Sequence, residues 1–397
     1  MLAMPRRATP SGGWLALVNN GQVRAVVYQV ATAGLLVALI WWFASNAAAN
    51  MAERGMSAGF DFLGVAAGFG ISFTLIPYQE GDTYFRVFLV GIANTLLVAA
   101  IAVVAASVLG LIVGLARLSE NWLIRTLARA YVEVLRNTPL LLQIIAWFFG
   151  VFNLLPRPRQ SVEWFGLFAL NNRGFYMPAP VPEAGFGAVT VALVAGIAGA
   201  VALKRWAKRR QERTGEPFPA IAAGAALIVG LPLVVHALLG GPLAWDLPAL
   251  SGFNYQGGMS VPPSFCALVV ALAVYTSCFI AEIVRSGIQS VGKGQHEAAA
   301  SLNIKPSWTM RLIILPQALR VIIPPLISQY LNITKNSSLA IAVGFPDLVS
   351  VWMNTSLNQS GQAISIVAMT MAFYCAASLA VSALLNAYNR RVMLKER

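Results

Sequence analysis

Apolar positions along this chain gather into long, nearly unbroken runs, separated by polar stretches rich in glycine and proline. A helix needs about 20 mainly apolar residues to cross a bilayer. Eight runs have or approach that length: about 25–44, 87–115, 138–155, 186–203, 219–239, 263–286, 317–345 and 363–387. The second and seventh exceed one crossing, so they tilt, kink or extend past the bilayer. The Pro324-Pro325 pair predicts a break or bend in the seventh. Gly110 and Gly114 form a GxxxG step on the second, a spacing that permits close helix packing. The first run follows a basic segment and has no cleavage pattern behind it, so it reads as a membrane helix and not as a removed leader. The pattern predicts an all-α integral membrane protein with about eight transmembrane helices.

Composition strengthens that reading. The chain is 58% hydrophobic and 11% charged, against about 25% charged residues in soluble domains. A chain this apolar cannot cover itself with polar groups, and its solvent is largely lipid. The formal charge of +13 then marks cytoplasmic loops, not a nucleic-acid partner. With the N-terminus inside, 22 of the 28 Lys and Arg residues fall on cytoplasmic segments. Arg54, Arg86, Arg157, Arg159 and Arg173 fall outside, and Lys335 within the membrane. Both termini are thus expected in the cytoplasm. Cys266, Cys278 and Cys375 lie in apolar runs without metal-ligand spacing, and His236 and His296 are isolated, so no metal centre is expected. The outer segments 55–86, 156–185 and 240–262 are too long for simple turns. They read either as a docking face for an external protein or as padding around the bundle.

Residues 287–300, GIQSVGKGQHEAAA, contain most of a phosphate-binding loop. That loop requires Ser or Thr after its lysine, to hold Mg²⁺, and a strand before it. Here Gly294 follows Lys293, and the preceding run is long enough to span a bilayer. The orientation puts 287–316 in the cytoplasm instead. Gly292 and Gly294 permit tight turns. Gln295 and His296 open a short helix with Glu297 in its first turn, where a negative charge suits the helix dipole. Ala298, Ala299 and Ala300 present almost no side chain, and Asn303 tolerates the left-handed geometry that ends a helix. A small-residue helix hung between two spans reads as a part that another protein grips.

Gln295-x-Glu297-Ala298-Ala299, followed by Leu315-Pro316-Gln317-Ala318, resembles the EAA loop of ABC-importer permease subunits. Glu133-Val-Leu-Arg136-Asn137-Thr138-Pro139-Leu-Leu-Leu-Gln143 resembles the polar amino-acid branch of that family. So do Ala281-Glu282-Ile-Val-Arg285-Ser-Gly287 and Lys335-Asn336-Ser337-Ser338-Leu339. The family usually has Gly where this chain has Asn303, a mild change, because Asn also visits that geometry. The resemblance implies a MetI-like permease core in two parts, 87–150 and 262–390, the second including the EAA loop at 287–316. Around it lie a cytoplasmic N-terminus (1–24), a first span with a periplasmic loop (25–86), and a cytoplasmic tail (391–397). The insert at 151–261, with two extra spans, looks like the larger general amino-acid permeases. The implied setting is the bacterial inner membrane. The implied partners are ABC ATPase subunits, a second permease of similar sequence, a periplasmic amino-acid-binding protein and an amino-acid substrate. No cofactor is implied in this chain, ATP-Mg being bound by the ATPase. In the family the short helix, here Gly292 to Asn303, couples to that ATPase.

Several polar residues in or near the spans invite two readings each. Thr138-Pro139 reads as a helix start, with Thr as N-cap and Pro at the first position. Glu133 and Arg136, and likewise Glu282 and Arg285, are i,i+3 neighbours that either pair structurally or reshuffle as a gate. An unpaired Lys335 at mid-membrane costs about 2.5–3.5 kcal/mol, so it faces a polar cavity or a carboxylate such as Glu282. Asn332 shares its face, and Asn336, Ser337 and Ser338 adjoin it. This group lines a translocation path or belongs to a buried pair. Asn94 and Thr95 line the same cavity, or Thr95 bonds its own helix backbone. An ion-coupled secondary transporter is the alternative function, but no repeat is visible and Glu282 is the main intramembrane carboxylate. A membrane enzyme has least support, for want of a His, Cys or Asp cluster.

Overall fold

The structure is a computed structural model and describes residues 21–53 and 59–392. Arg6, Arg7, Arg54, Lys395 and Arg397, which entered the charge count, lie outside the described residues, as does most of the N-terminal segment. Among the described residues the longer helices are α1 Gly21–Glu53, α2 Tyr84–Ala116, α3 Trp122–Asn137, α4 Leu140–Gly150, α5 Phe186–Thr214, α6 Ala220–Leu238, α7 Pro263–Gln289, α8 Lys293–Ser301, α9 Leu315–Asn336 and α10 Ala363–Val392. Among the described residues seven helical stretches are long and apolar enough to cross a membrane, and an eighth arises if α3 and the segment beginning with α4 count as one bent span.

The core is the pair α2 and α7, with α4 and α9 packed against α7. Between spans in lipid there is little hydrophobic gain, so close backbone approach supplies the attraction. Gly110 and Gly114 do this here. A Cβ on Gly110 would lie 2.6 Å from Ile280 Cβ, and one on Gly114 would lie 2.9 Å from the Ala281 carbonyl. The GxxxG step is therefore the α2–α7 contact itself. A second cluster at the other end of α2 surrounds Trp352, which is fully buried and donates from Nε1 to Ile366 O at 3.2 Å.

Three expectations require correction. The third span, read as 138–155, is a short helical stretch over Leu140–Leu154, α4 followed by a 3-10 turn at Phe152–Leu154, about 22 Å long at 1.5 Å per residue. It follows α3 at an angle of 102°. The amphipathic α3 carries Arg125, Arg129 and Arg136 and stands apart as its own helix. The Pro324-Pro325 pair does not break the seventh run, because α9 continues through both. Proline's fixed φ suits a helix, and its lost hydrogen bonds cost about 3 kcal/mol, set here against the burial of Ala318, Ile322 and Ile333. The irregular winding lies instead at the two ends of α9, a π-helical turn over Thr309–Ile314 and a 3-10 helix over Ser337–Val343. Glycine and proline near 151–261 also produce strands that a helical reading did not foresee. A four-stranded antiparallel sheet runs in the order β1 (Val162–Trp164), β2 (Phe168–Asn171), β3 (Gly174–Met177), β8 (Met259–Val261). Two small hairpins, β4 (Ala179–Pro182) with β5 (Leu243–Asp246) and β6 (Ala249–Ser251) with β7 (Asn254–Gln256), complete the insert. β8 leads directly into α7, which fixes the sheet to the core.

Candidate functional site

The chain between α7 and α9 forms a stem and a projecting turn. Gly292 is the N-cap of α8 and the helix starts at Lys293. Gly294 is therefore inside the first turn, not in a loop, and Glu297 sits one turn further in than the sequence suggested. Neither glycine has a positive φ, and an added Cβ at either would meet nothing within 4 Å. This chain alone gives neither residue a packing reason. Asn303 takes φ 54, and the amides of Asn303 and Ile304 donate to Ala300 O and Ala299 O. This left-handed close ends the helix without a glycine.

The faces of α8 divide sharply. Ala299 is buried and turns inward, which removes it from the outer surface where the sequence had put it. Gln295, Glu297 and Ala298 are exposed. Gln317 donates from Nε2 to Ile313 O at 3.0 Å and reaches Gln295 Oε1 at 3.5 Å. The two halves of the EAA-like signature thus meet in space. Beside them stand large apolar side chains in solvent: Leu302 is 74% and Trp308 60% exposed. A groove of about 280 Å³ runs between His296, Ala300, Ile304 and Met310. An exposed, small-faced helix flanked by bare apolar groups has the composition of a docking surface.

Above this stem, Glu282 on α7 accepts from two guanidiniums. Arg285 donates through Nε at 3.2 Å and through Nη2, and Arg117 at the end of α2 donates from Nη1. The Glu282–Arg285 pair has the spacing read from the sequence. Arg117 was missed, although its place at the C-terminal end of α2, beside the C-terminal part of α7, was a usable signal. Glu282 has no pairing with Lys335.

The Asn137-Thr138-Pro139 stretch is a helix end with side-chain substitutes for missing donors. Pro139 has no N–H for Leu135 O, and Gln143 Nε2 donates there instead at 2.8 Å, and to Thr138 O at 3.1 Å. Asn137 Nδ2 and Thr138 Oγ1 donate to Glu133 O and Val134 O, each at 2.8 Å. Thr138 is thus not the N-cap of α4. Its hydroxyl points back into α3, and Pro139 holds the cap position. Glu133 and Arg136 do not pair, since the Arg136 guanidinium sits 5.3 Å from the centre of the Phe279 ring on α7.

Asn94 and Thr95 do not line a cavity. Both are fully buried. Asn94 Nδ2 donates to Phe73 O at 2.9 Å and Pro346 O at 2.8 Å, while its Oδ1 accepts from Leu75 N at 3.1 Å. Thr95 Oγ1 accepts from Leu348 N at 3.0 Å, not from its own helix. These side chains pin two irregular segments onto α2, a role that requires knowing which loops fold back and so was not legible in sequence. Ser337 is buried, with its hydroxyl on Thr334 O, and Ser338 donates to Lys335 O. Neither hydroxyl is committed to a cavity. Asn336 is partly buried at the end of α9. Lys335 and Asn332 differ: both are exposed, on one stripe with Val321, Pro325 and Ser328 at helical spacing. Among the described residues Lys335 takes no ion pair.

Residues 106–394 match the family described as binding-protein-dependent transport system inner membrane component. The chain is 52% identical to the putative amino-acid ABC transporter permease protein YhdX of Escherichia coli, over 99% of both chains. It is 50% identical to the general L-amino acid transport system permease protein AapQ of Rhizobium johnstonii, over 97% of this chain and 96% of that one. With the glutamate/glutamine/aspartate/asparagine transport system permease protein BztB of Rhodobacter capsulatus it shares 39%, over 96% of each. The matched region takes in the last third of α2, all of α7, the projecting α8 and the stripe on α9. The chain therefore belongs to the inner-membrane components of binding-protein-dependent ABC transport systems, and it is a transport permease, not an enzyme.

Proposed function

We propose that this chain is the permease subunit of an ATP-driven importer of amino acids, polar or broad-range L-amino acids among them. The observation that carries the reading is α8: exposed at Glu297 and Ala298, open around Gly292 and Gly294, and hung on the stem between two spans. Such a helix suits a cleft on a separate ABC ATPase, which binds ATP-Mg. Closure of that ATPase displaces α8, and the stem passes the movement to α7. Both chain ends lie in the cytoplasm in this arrangement, on the strength of the charge distribution. The names of the full-length relatives support the substrate class. A periplasmic binding protein delivers the amino acid to the outer segments.

The stripe Ser328, Asn332 and Lys335 forms half of the translocation path, and a second permease closes the other half. Its exposure here supports that role, since an ammonium group facing lipid costs about 2.5–3.5 kcal/mol. Lys335 then meets the carboxylate of the passing amino acid. An ion-coupled transporter would draw on Glu282, whose carboxylate is engaged by two arginines.

The test is reconstitution of this chain with its candidate permease, ATPase and binding-protein partners in vesicles. The expected outcome is amino-acid uptake that requires ATP and the binding protein. Uptake driven by an ion gradient alone would overturn the reading. Within that assay Lys335→Met is expected to abolish uptake while the complex still assembles, and full uptake by that variant removes Lys335 from the path.

A further inference from the structure

The hairpin α5–α6 packs tightly on itself and only sparsely on the rest of the described chain. A Cβ on Gly196 would lie 2.7 Å from Leu227 O, and one on Gly224 would lie 3.3 Å from Ala200 Cβ. These contacts set the two helices level. The apolar part of α5, residues 186–203, is about 27 Å long and α6 about 28 Å, a match to a hydrocarbon core of about 30 Å. The charges begin at the next residue. Lys204, Arg205, Lys208, Arg209, Arg210 and Arg213 follow within one continuous helix that outruns α6.

Not all of these cations are available. Arg210 pairs with Glu216 at 3.0 Å and lies over the Trp206 ring, and Lys208 stands 3.9 Å from Glu212. Lys204, Arg205, Arg209 and Arg213 are exposed and take no ion pair among the described residues. Trp206 packs edge-on against Phe218, ring centres 5.3 Å apart, which holds an amphipathic aromatic pair at the boundary.

We propose that this end of the hairpin binds anionic phospholipid headgroups of the inner leaflet. The proposal rests on the orientation given above, which puts residues 204–219 on the cytoplasmic side. At about 100° per residue, Lys204, Arg205 and Arg209 share one side of α5 with the exposed Val194, Ile197 and Val201. An apolar stripe that meets acyl chains thus ends directly in unpaired cations, the outline of a phospholipid carrying negative charge. Each Lys or Arg near such a surface favours binding by about 1 kcal/mol, or about fivefold. The effect fades over a screening length of about 8 Å. Lys204 to Arg209 spans about 8 Å along the helix and Lys204 to Arg213 about 14 Å, so the first three cations act and Arg213 stands beyond them.

The experiment is lipid retention. The full chain is placed in nanodiscs of equal phosphatidylglycerol and phosphatidylcholine, extracted in mild detergent, and its retained lipids are quantified. The wild type is expected to keep phosphatidylglycerol preferentially. The variant Lys204→Gln/Arg205→Gln/Arg209→Gln is expected to lose at least tenfold of that preference, with phosphatidylcholine unchanged, and Arg213→Gln is expected to stay within about twofold. Wild-type retention by the triple variant overturns the proposal, as does an equal loss in Arg213→Gln, which means that the total charge of the rod, and not a site at the boundary, sets the lipid preference. Labelling of a Gly215→Cys variant by an impermeant maleimide from outside overturns it through the orientation. Failure of ATP-driven uptake alone, with the lipid preference intact, counts against the importer reading and not against this one.

Discussion

Replacement of Asn94 by Ala removes one side chain and orphans three backbone groups at once. Pro346 O, Phe73 O and Leu75 N each lose their partner from α2. A buried polar group left unsatisfied costs about 1–3 kcal/mol. Pro346 O sits in fully buried surroundings and takes the upper figure, and the two partly buried groups take the lower, for a loss of about 5 kcal/mol. The smaller value of about 0.6 kcal/mol found for an average hydrogen bond between spans does not apply, because there the released partner finds another. Thr95→Val is the internal standard. It keeps the shape and orphans only Leu348 N, for about 1–3 kcal/mol. The assay is thermal unfolding in detergent in a Cys266→Ser/Cys375→Ser background, followed by reaction of a fluorogenic maleimide with Cys278, which is fully buried in the fold. Asn94→Ala is expected to melt well below Thr95→Val, and Thr95→Val below the wild type. Equal melting of the two variants, or an Asn94→Ala protein as stable as the wild type, would show that these segments are not held from α2.

Three further outcomes are expected. Ala298→Trp puts a bulky ring on the exposed face of α8, so ATPase co-purification is expected to fall at least tenfold while thermal stability stays within about 0.5 kcal/mol, the usual range for surface changes. Gln143→Leu leaves Leu135 O without a donor and is expected to destabilise the α3–α4 bend by about 1–3 kcal/mol, read in the same maleimide melt. Gly110→Val presses a side chain into Ile280, and overpacking of this kind costs about 1–3 kcal/mol. Lower expression and a lower melting point check it, and a neutral result would mean that α2 and α7 are not in contact at that step.

The spans were legible because lipid leaves one solution for long apolar runs, helices with their backbone satisfied internally. The ends of α2, α6 and α7 fall within about three residues of the runs read from sequence. Local capping was legible too where it depends on one residue, as at Asn303. What the sequence hid were partnerships across the chain. Asn94 and Pro346 are 252 residues apart, and nothing near Asn94 names its partners. Thr138-Pro139 misled for a related reason: the same residues favour a helix start and a helix end, and the choice was made by Gln143 from the next helix. The strands of the insert were missed because three- and four-residue segments give too few positions for an alternating pattern to stand out.

The glycine step between α2 and α7 has a mechanical result. Two rods that touch backbone to backbone at that step, and are bolted beside it by Glu282 to Arg117, have no layer of side chains there that can slide. They turn as a single beam. Any torque applied to one is delivered to both, and the give in the subunit resides where the winding is already uneven, at the loose and tight turns that bracket α9.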